Sequence, residues 1–221
     1  MKHDNLGNEA EVNAVVNVPE TMPYVPDLIP RLTQLNFLVS EIGRWNRGLN
    51  LVADPTPNVA WRRHVADSAQ LLKIVPNATR WLDIGTGAGF PGIVIAILIS
   101  SRLGARVHCV ESDHRKCAFL RHVARETGAP ASSHCTRPQA FPRGTARSFD
   151  AITAWAFSSL AELVRMSEFW IERGATGIFP QGSRIDFANE TPEIRERFEF
   201  GALPRTTNPS STIVTIRARA Q

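Results

Sequence analysis

Trp81-Leu82-Asp83-Ile84-Gly85-Thr86-Gly87-Ala88-Gly89-Phe90-Pro91-Gly92 decides the fold of this chain. An apolar run ends in an acid, and four glycines follow within eight residues. Without a Cβ, glycine turns the backbone tightly and lets a ligand lie against main-chain N–H groups. Residues 93–99, Ile-Val-Ile-Ala-Ile-Leu-Ile, are apolar throughout, as a helix buried against a sheet must be. The glycines therefore stand where a strand hands over to a helix, the place where doubly wound folds hold nucleotide-like ligands.

The spacing narrows the ligand. A dinucleotide turn needs G-x-G-x-x-G/A; Gly85 and Gly87 fit, but Phe90 holds the third position. A phosphate loop needs Gly-Lys-Ser/Thr at its end, and none follows. What remains, Asp83-x-Gly85-x-Gly87-x-Gly89, resembles the glycine turn of class I S-adenosylmethionine-dependent methyltransferases. That ligand carries no phosphate. It needs a backbone shelf for ribose and methionine, and an acid near the methionine ammonium. A second acid should close the next strand, roughly twenty residues on, and accept the ribose hydroxyls. Residues 105–110 read as that strand, and Glu111 ends it.

The chain has 221 residues, 43% hydrophobic and 21% charged, an ordinary globular balance with enough length for one full core. No apolar run reaches the length of a membrane span, and Met1-Lys2-His3-Asp4-Asn5-Leu6-Gly7 has no secretory pattern. Cys109, Cys117 and Cys135 lack metal-ligand spacing and suggest no disulfide framework, so a cytoplasmic protein without a metal site is expected. Net charge is +4, from 25 basic and 21 acidic residues. That is compatible with a nucleic-acid partner but does not require one.

Residues 1–22 read as a polar, mobile tail. A helical period begins at Pro26 and carries Leu28, Ile29, Leu32, Leu35, Leu38, Ile42 and Trp45. A loop is predicted over 46–57, then a second amphipathic helix over 59–72. Together they make an N-terminal helical extension over 23–76, ahead of a methyltransferase domain over 77–221. There the pattern alternates: strands ending at Asp83 and over 106–110, a weak third near 133–136, a fourth over 149–154 and a fifth over 176–180. Helices are predicted from Pro91, after an Asp113 cap, and through Leu160, Leu163, Val164 and Trp170. Residues 198–203 and 211–217 read as a closing antiparallel pair. The fold class is α/β, a doubly wound Rossmann-like sheet of the class I methyltransferase type with a small N-terminal helical extension.

Further motifs make the resemblance specific. Trp45-Asn46 with Asn50-Leu51, Arg63-His64 with Asp67-Ser68, the whole 83–92 loop, and Asp113 to Leu120 with Arg115, Lys116 and Phe119 stand together over roughly 28–217. On these the chain resembles the RsmG (GidB) family, bacterial enzymes that methylate N7 of a guanosine in small-subunit (16S) ribosomal RNA. The resemblance implies S-adenosylmethionine as cofactor, bound by Asp83, Gly85, Thr86, Gly87, Ala88, Gly89 and Phe90, with Glu111 at the ribose. Arg137, Pro138 and Gln139 would lie near the adenine. The family usually has an acid at the position of Gln139, and Pro138 lacks an N–H that could bond the adenine. The expected partner is small-subunit ribosomal RNA or the ribosomal particle, met by a monomer away from any membrane.

Three departures fall where the acceptor is expected. The family carries Arg-Ala after the fourth strand, Lys-Gly after the fifth and Arg-His before the last; this chain has Trp155-Ala156, Gln181-Gly182 and Ser211-Thr212. Carboxyl ends of central strands face the ligand crevice, so Trp155, Phe157 and Gln181 become the candidate acceptor-site residues. N7 of guanine has a free lone pair and no proton, so its methylation requires alignment and exclusion of water but no general base. Trp155 and Phe157 offer aromatic faces for a base, and packing under a loop is an equal reading for Trp155. Arg62, Arg63, Arg115 and Lys116 are the candidate RNA contacts, with plain surface charge as the alternative. His64 and Asp67, three apart on a helix, are close enough to pair, and a structural hydrogen bond between helix and sheet is the reading preferred. Two other functions stay open on the residues alone: a diverged member methylating another RNA or a small molecule, and a non-catalytic cofactor-binding module.

Overall fold

The computed structural model describes residues 28–143, 148–155, 159–182 and 191–219. Within them one seven-stranded sheet has the order β3-β2-β1-β4-β5-β7-β6. Its strands are β1 (Arg80–Ile84), β2 (Arg106–Glu111), β3 (Ala131–Cys135), β4 (Ala151–Ala154), β5 (Thr176–Gln181), β6 (Phe198–Pro204) and β7 (Thr212–Ala218). Pairings from β3 through β5 are parallel, and β7 runs antiparallel to both β5 and β6. The order reverses between β1 and β4, which opens a crevice above the carboxyl ends of those strands.

Period-two alternation sorts side chains into two layers. Trp81, Cys109, Ala151 and Ile178 face one cluster; Leu82, Val110, Ile152 and Phe179 face the other. The first layer is closed by α4 (Gly92–Leu98) and α5 (His114–Thr127). All seven residues of α4 are buried, which explains a helix apolar all round. Helix α5 starts at the Asp113 cap, whose carboxylate accepts from the Arg115 and Lys116 amides, and stops at Gly128 with φ +65°. The second layer is closed by α6 (Leu160–Ile171), entered through the Ser159 hydroxyl, which accepts from the Glu162 amide.

The N-terminal helices share the first core with the sheet. Leu35, Leu38 and Ile42 of α1 (Leu32–Leu49), with Trp61, Val65 and Leu71, lie in the same buried cluster as Ile93, Ile95 and Phe119. Helix α1 runs past the predicted loop start at Asn46 and ends where Asn50 turns left-handed at φ +47°. Asparagine tolerates that conformation better than most residues, so no glycine marked the stop. The predicted single helix over 59–72 is a stepped one: α2 (Pro57–Val59), a π-helical turn (Ala60–Val65), α3 (Ala66–Ala69) and a 3₁₀ turn (Gln70–Lys73). One unanticipated helix, α7 (Pro192–Arg197), is short and strongly charged, so it carries little apolar period. No helix among the described residues is long and apolar enough to cross a membrane.

Candidate functional site

Strand β1 delivers its chain into the glycine turn, and β2 anchors it: the Gly85 and Thr86 amides donate to the Val110 carbonyl at 2.8 and 3.0 Å. Gly85, Gly87 and Gly89 all have positive φ, at +71°, +58° and +92°. Only glycine takes three such turns in succession without strain. A Cβ at Gly87 would meet nothing nearer than the Gly85 carbonyl oxygen at 3.8 Å, so this part of the turn is open. Side chains of Thr86, Ala88 and Phe90 are buried, and the open part of the turn offers backbone.

Asp83 holds this shape from beneath. Its Oδ2 accepts from the Thr86 hydroxyl at 2.7 Å and the Gly92 amide at 2.9 Å, and its Oδ1 accepts from the Thr153 hydroxyl at 2.7 Å. The residue is fully buried, so it braces the loop from inside; the expected contact with a methionine ammonium is not available to it. Burial pushes the Asp83 carboxyl up to about 6, against the pull of its Thr86, Thr153 and Gly92 donors. A folded-state value above the unfolded one means the fold holds this proton more tightly. Asp83 therefore contributes stability that is fully present below about pH 4 and is lost as the pH rises through 6. Roughly 3 kcal/mol is at stake for a shift of that size. The stability difference between the protein and Asp83→Asn should fall between pH 4 and 6.5 and then level off; a flat difference would contradict the assignment.

Glu111 stands at the rim. Its Oε2 accepts from the Gly87 amide at 3.0 Å, and its Oε1 from the Ser112 and Asp113 amides at 2.7 and 2.8 Å. One carboxylate thus ties the turn after β1 to the turn after β2, with lone pairs left at the rim for hydroxyl donors. Arg137, Pro138 and Gln139 follow β3 directly, where the Thr136 amide donates to the Glu111 carbonyl at 3.0 Å, and Pro138 opens a 3₁₀ turn. They come next in the chain after the residue bonded to Glu111.

A second constellation joins the stepped helix to the end of β4. His64 stacks on Phe90, with ring centroids 4.7 Å apart at 20°, and meets the edge of Trp155 at 6.2 Å. Burial lowers the His64 pKa, which keeps the imidazole neutral. Asp67 does not take His64 as its hydrogen-bond partner. It pairs with Arg205, accepts from the Thr207 hydroxyl and accepts from Gln70 Nε2 at 2.9 Å. Gln70 Oε1 in turn accepts from the Thr206 amide at 2.9 Å. The helix-to-sheet bond expected of this pair therefore exists, but Asp67 makes it to the turn between β6 and β7.

The Arg205 guanidinium lies 5.5 Å from the Trp155 ring centre. Trp155 is half-buried against the first core, with Arg205 and His64 already on its ring, which favours the packing role over a free stacking surface. Gln181 follows Phe179 onto the face of the second core, so it and Trp155 flank the crevice from opposite faces of the sheet. Phe157 lies outside the described residues.

The four candidate RNA contacts separate into two places. Arg62 and Arg63 line a cavity of about 560 Å³ between the stepped helix and the β6–β7 turn, beside Gly182 and Arg205. Arg115 and Lys116 sit on the first turn of α5, where Arg115 joins Arg44, Trp45 and Leu49 around a second depression. Arg205, Thr207, Gln70 and Thr153 escaped the sequence reading. Only Thr153 left a local signal, as the one polar residue in an otherwise apolar buried strand. Among the described residues, no group of three or more His, Cys, Asp or Glu stands together as a metal site.

The model of the family described as rRNA small subunit methyltransferase G (GidB) matches residues 31–200. The chain belongs to this family. Relatives named ribosomal RNA small subunit methyltransferase G include that of Methylorubrum extorquens, 40% identical over 82% of this chain and 86% of its own length. The one from Caulobacter vibrioides is 37% identical over 86% of this chain and 84% of its own. Solved folds agree with GidB membership at the level of architecture. An O-methyltransferase from Bacillus cereus in complex with SAH superposes with a TM-score of 0.57 at 19% identity, over 82% of this chain and 90% of that one. A second solved structure, from Klebsiella pneumoniae, gives 0.56 at 16% identity, over 90% of this chain and 92% of that one. The class I methyltransferase fold expected from the glycine turn is therefore the one observed.

Proposed function

We propose that this chain transfers a methyl group from S-adenosylmethionine to N7 of a guanosine in small-subunit ribosomal RNA, acting as a monomer in the cytoplasm. The observation that carries this reading is the glycine turn, braced below by Asp83 and tied at its rim by Glu111, in a chain of the GidB family. The turn suits the cofactor: Gly87 leaves a cradle that a side chain would fill, and Glu111 keeps acceptor capacity where ribose hydroxyls would arrive. S-adenosylmethionine, when bound, supplies an electrophilic methyl on a sulfonium.

The residues of the chain bind, orient and shield. Gly85 and Gly87 present backbone to the cofactor, Glu111 receives its ribose, and the 137–139 turn borders its adenine. Phe90 and His64 form an apolar wall that keeps water from the crevice, and a neutral imidazole adds no charge that would repel a purine becoming cationic. No group need accept a proton, because N7 carries none. Rate therefore depends on alignment, for which effective molarities are large. Arg62, Arg63, Arg115 and Lys116 meet the RNA backbone, and Trp155 and Gln181 border the acceptor.

The test uses S-adenosylmethionine labelled in the methyl group, with small ribosomal subunits and free 16S RNA lacking the N7 mark, and with a lysate fractionated into RNA, protein and small molecules. Label on guanosine N7 of 16S RNA is expected. Label in another RNA or a small molecule replaces the acceptor, and no label favours a binding module. Gly87→Val forces a branched residue into φ +58° and fills the cradle. It should weaken cofactor binding by about a hundredfold or more, because the strain and the lost space act together. Calorimetric titration checks this; ordinary binding by a folded Gly87→Val would displace the proposed site.

A further inference from the structure

The cavity between the stepped helix and the β6–β7 turn is built for an anion. Its volume of about 560 Å³ falls in the range that holds a nucleotide-sized ligand. It is lined by Gly182, just past the end of β5, and by Ser211, just before β7, and so lies on the carboxyl edge of the sheet with the glycine turn. Strand β5 is two places from β1, so roughly 10 Å separates the two strands across the sheet.

Charge decides what the cavity accepts. Its one carboxylate, Asp67, is already committed to Arg205, Thr207 and Gln70. Arg62 and Arg63 are exposed at its wall, and no ion pair or hydrogen bond engages either among the described residues. The remaining rim is neutral and polar, with Asn58, Thr206 and Asn208 exposed. Two uncommitted guanidiniums over a recess with a neutral polar rim match one phosphodiester with its sugar and base.

We infer that this cavity holds a nucleotide of the acceptor RNA flanking the reacting base, its phosphate on Arg62 and Arg63. The inference rests on the RNA reading above and adds a defined pocket where that reading has only a charged surface. A chain of ring contacts also leads from the pocket to the cofactor turn. Arg205 at its wall lies over Trp155, Trp155 meets His64, and His64 stacks on Phe90.

Binding of a short fluorescent oligoribonucleotide tests this directly, with no need for catalysis. Arg62→Gln/Arg63→Gln should weaken binding about tenfold or more, and lower the slope of log K against log salt by about 0.7, the loss of one phosphate contact. Arg125→Gln/Arg195→Gln removes the same charge from other faces and should leave that slope nearly unchanged. Thr206→Trp alters no charge and fills the recess; it should weaken RNA binding while cofactor binding in calorimetry stays at the parent value. Parent-like affinity and slope in Arg62→Gln/Arg63→Gln would overturn the pocket, whereas 16S RNA labelled by the parent would leave the proposed function standing. A parent that binds RNA with the expected arginine dependence but labels no 16S RNA would overturn the proposed function and keep the pocket. A parent that binds no RNA overturns both.

Discussion

Gly92→Ala is expected to melt roughly 4–10 °C below the parent, despite placing a better helix former at the start of α4. A Cβ there would lie 2.7 Å from Asp83 Oδ2, 2.8 Å from Cys109 Sγ and 3.0 Å from Asp83 Cβ. Both neighbours are fully buried and neither is the loose end of a flexible side chain. The helical preference of alanine offers about 1 kcal/mol, and overpacking of this kind costs typically 1–3 kcal/mol or more. The clash wins because relief requires Asp83 to move, and Asp83 is bonded to Thr86, Thr153 and the Gly92 amide itself. Cofactor affinity should fall with stability, since the same carboxylate shapes the turn. Gly43→Ala is the contrasting case: nothing lies within 4 Å of the added carbon in the middle of α1. That change should stabilise by roughly 0.5–1 kcal/mol. Thermal denaturation of both variants checks the pair, and equal melting points would mean that the contact at Gly92 relaxes without cost.

Asp67→Ala should be the larger loss, about 3–5 kcal/mol, because it strands a cation that is nearly enclosed. The side chains of Asp67 and Arg205 are 3% and 12% exposed. Removing the carboxylate leaves the Arg205 guanidinium without its counter-ion and frees Thr207 and Gln70 from their shared acceptor. The β6–β7 turn then loses its fastening to the stepped helix, and activity should fall with it. Asp67→Leu/Arg205→Met should recover much of the stability, since apolar replacements remove both desolvation costs. Urea denaturation of the two singles and the double gives the coupling energy directly. Additive losses would show that the two side chains do not act as a pair.

The strands of the sheet and the glycine turn were legible because each is written in local spacing. A strand ending in Asp83, glycines at steps of two and an acid closing the next strand need no knowledge of distant residues. The antiparallel close of the sheet was legible for the same reason, in the alternation of 211–217. What escaped was set by contacts across the fold. Asp67 looked like a partner for His64 because both lie on one helix, but the Arg205 that claims it stands 138 residues away. Asp83 looked like a ligand contact because it opens the motif, yet its donors come from Thr86, Gly92 and a strand 70 residues on. Trp155 read equally as a face for a base and as packing under a loop, and Arg205 and His64 on its ring favour the packing. Sequence spacing locates a crevice well and assigns its inner contacts poorly.

The fastening of the β6–β7 turn to the stepped helix has a consequence for the order of events in the cell. The cavity wall needs Arg205 and Thr207, and the strand that carries their turn back into the sheet is β7, the last in chain order among the described residues. Arg62, Arg63 and Asp67 are synthesised first, and Asp67 waits 138 residues for Arg205. A ribosome making this protein therefore first holds a chain that has its glycine turn but still lacks Arg205 and Thr207. In the order of synthesis, the proposed nucleotide pocket is completed after the cofactor turn.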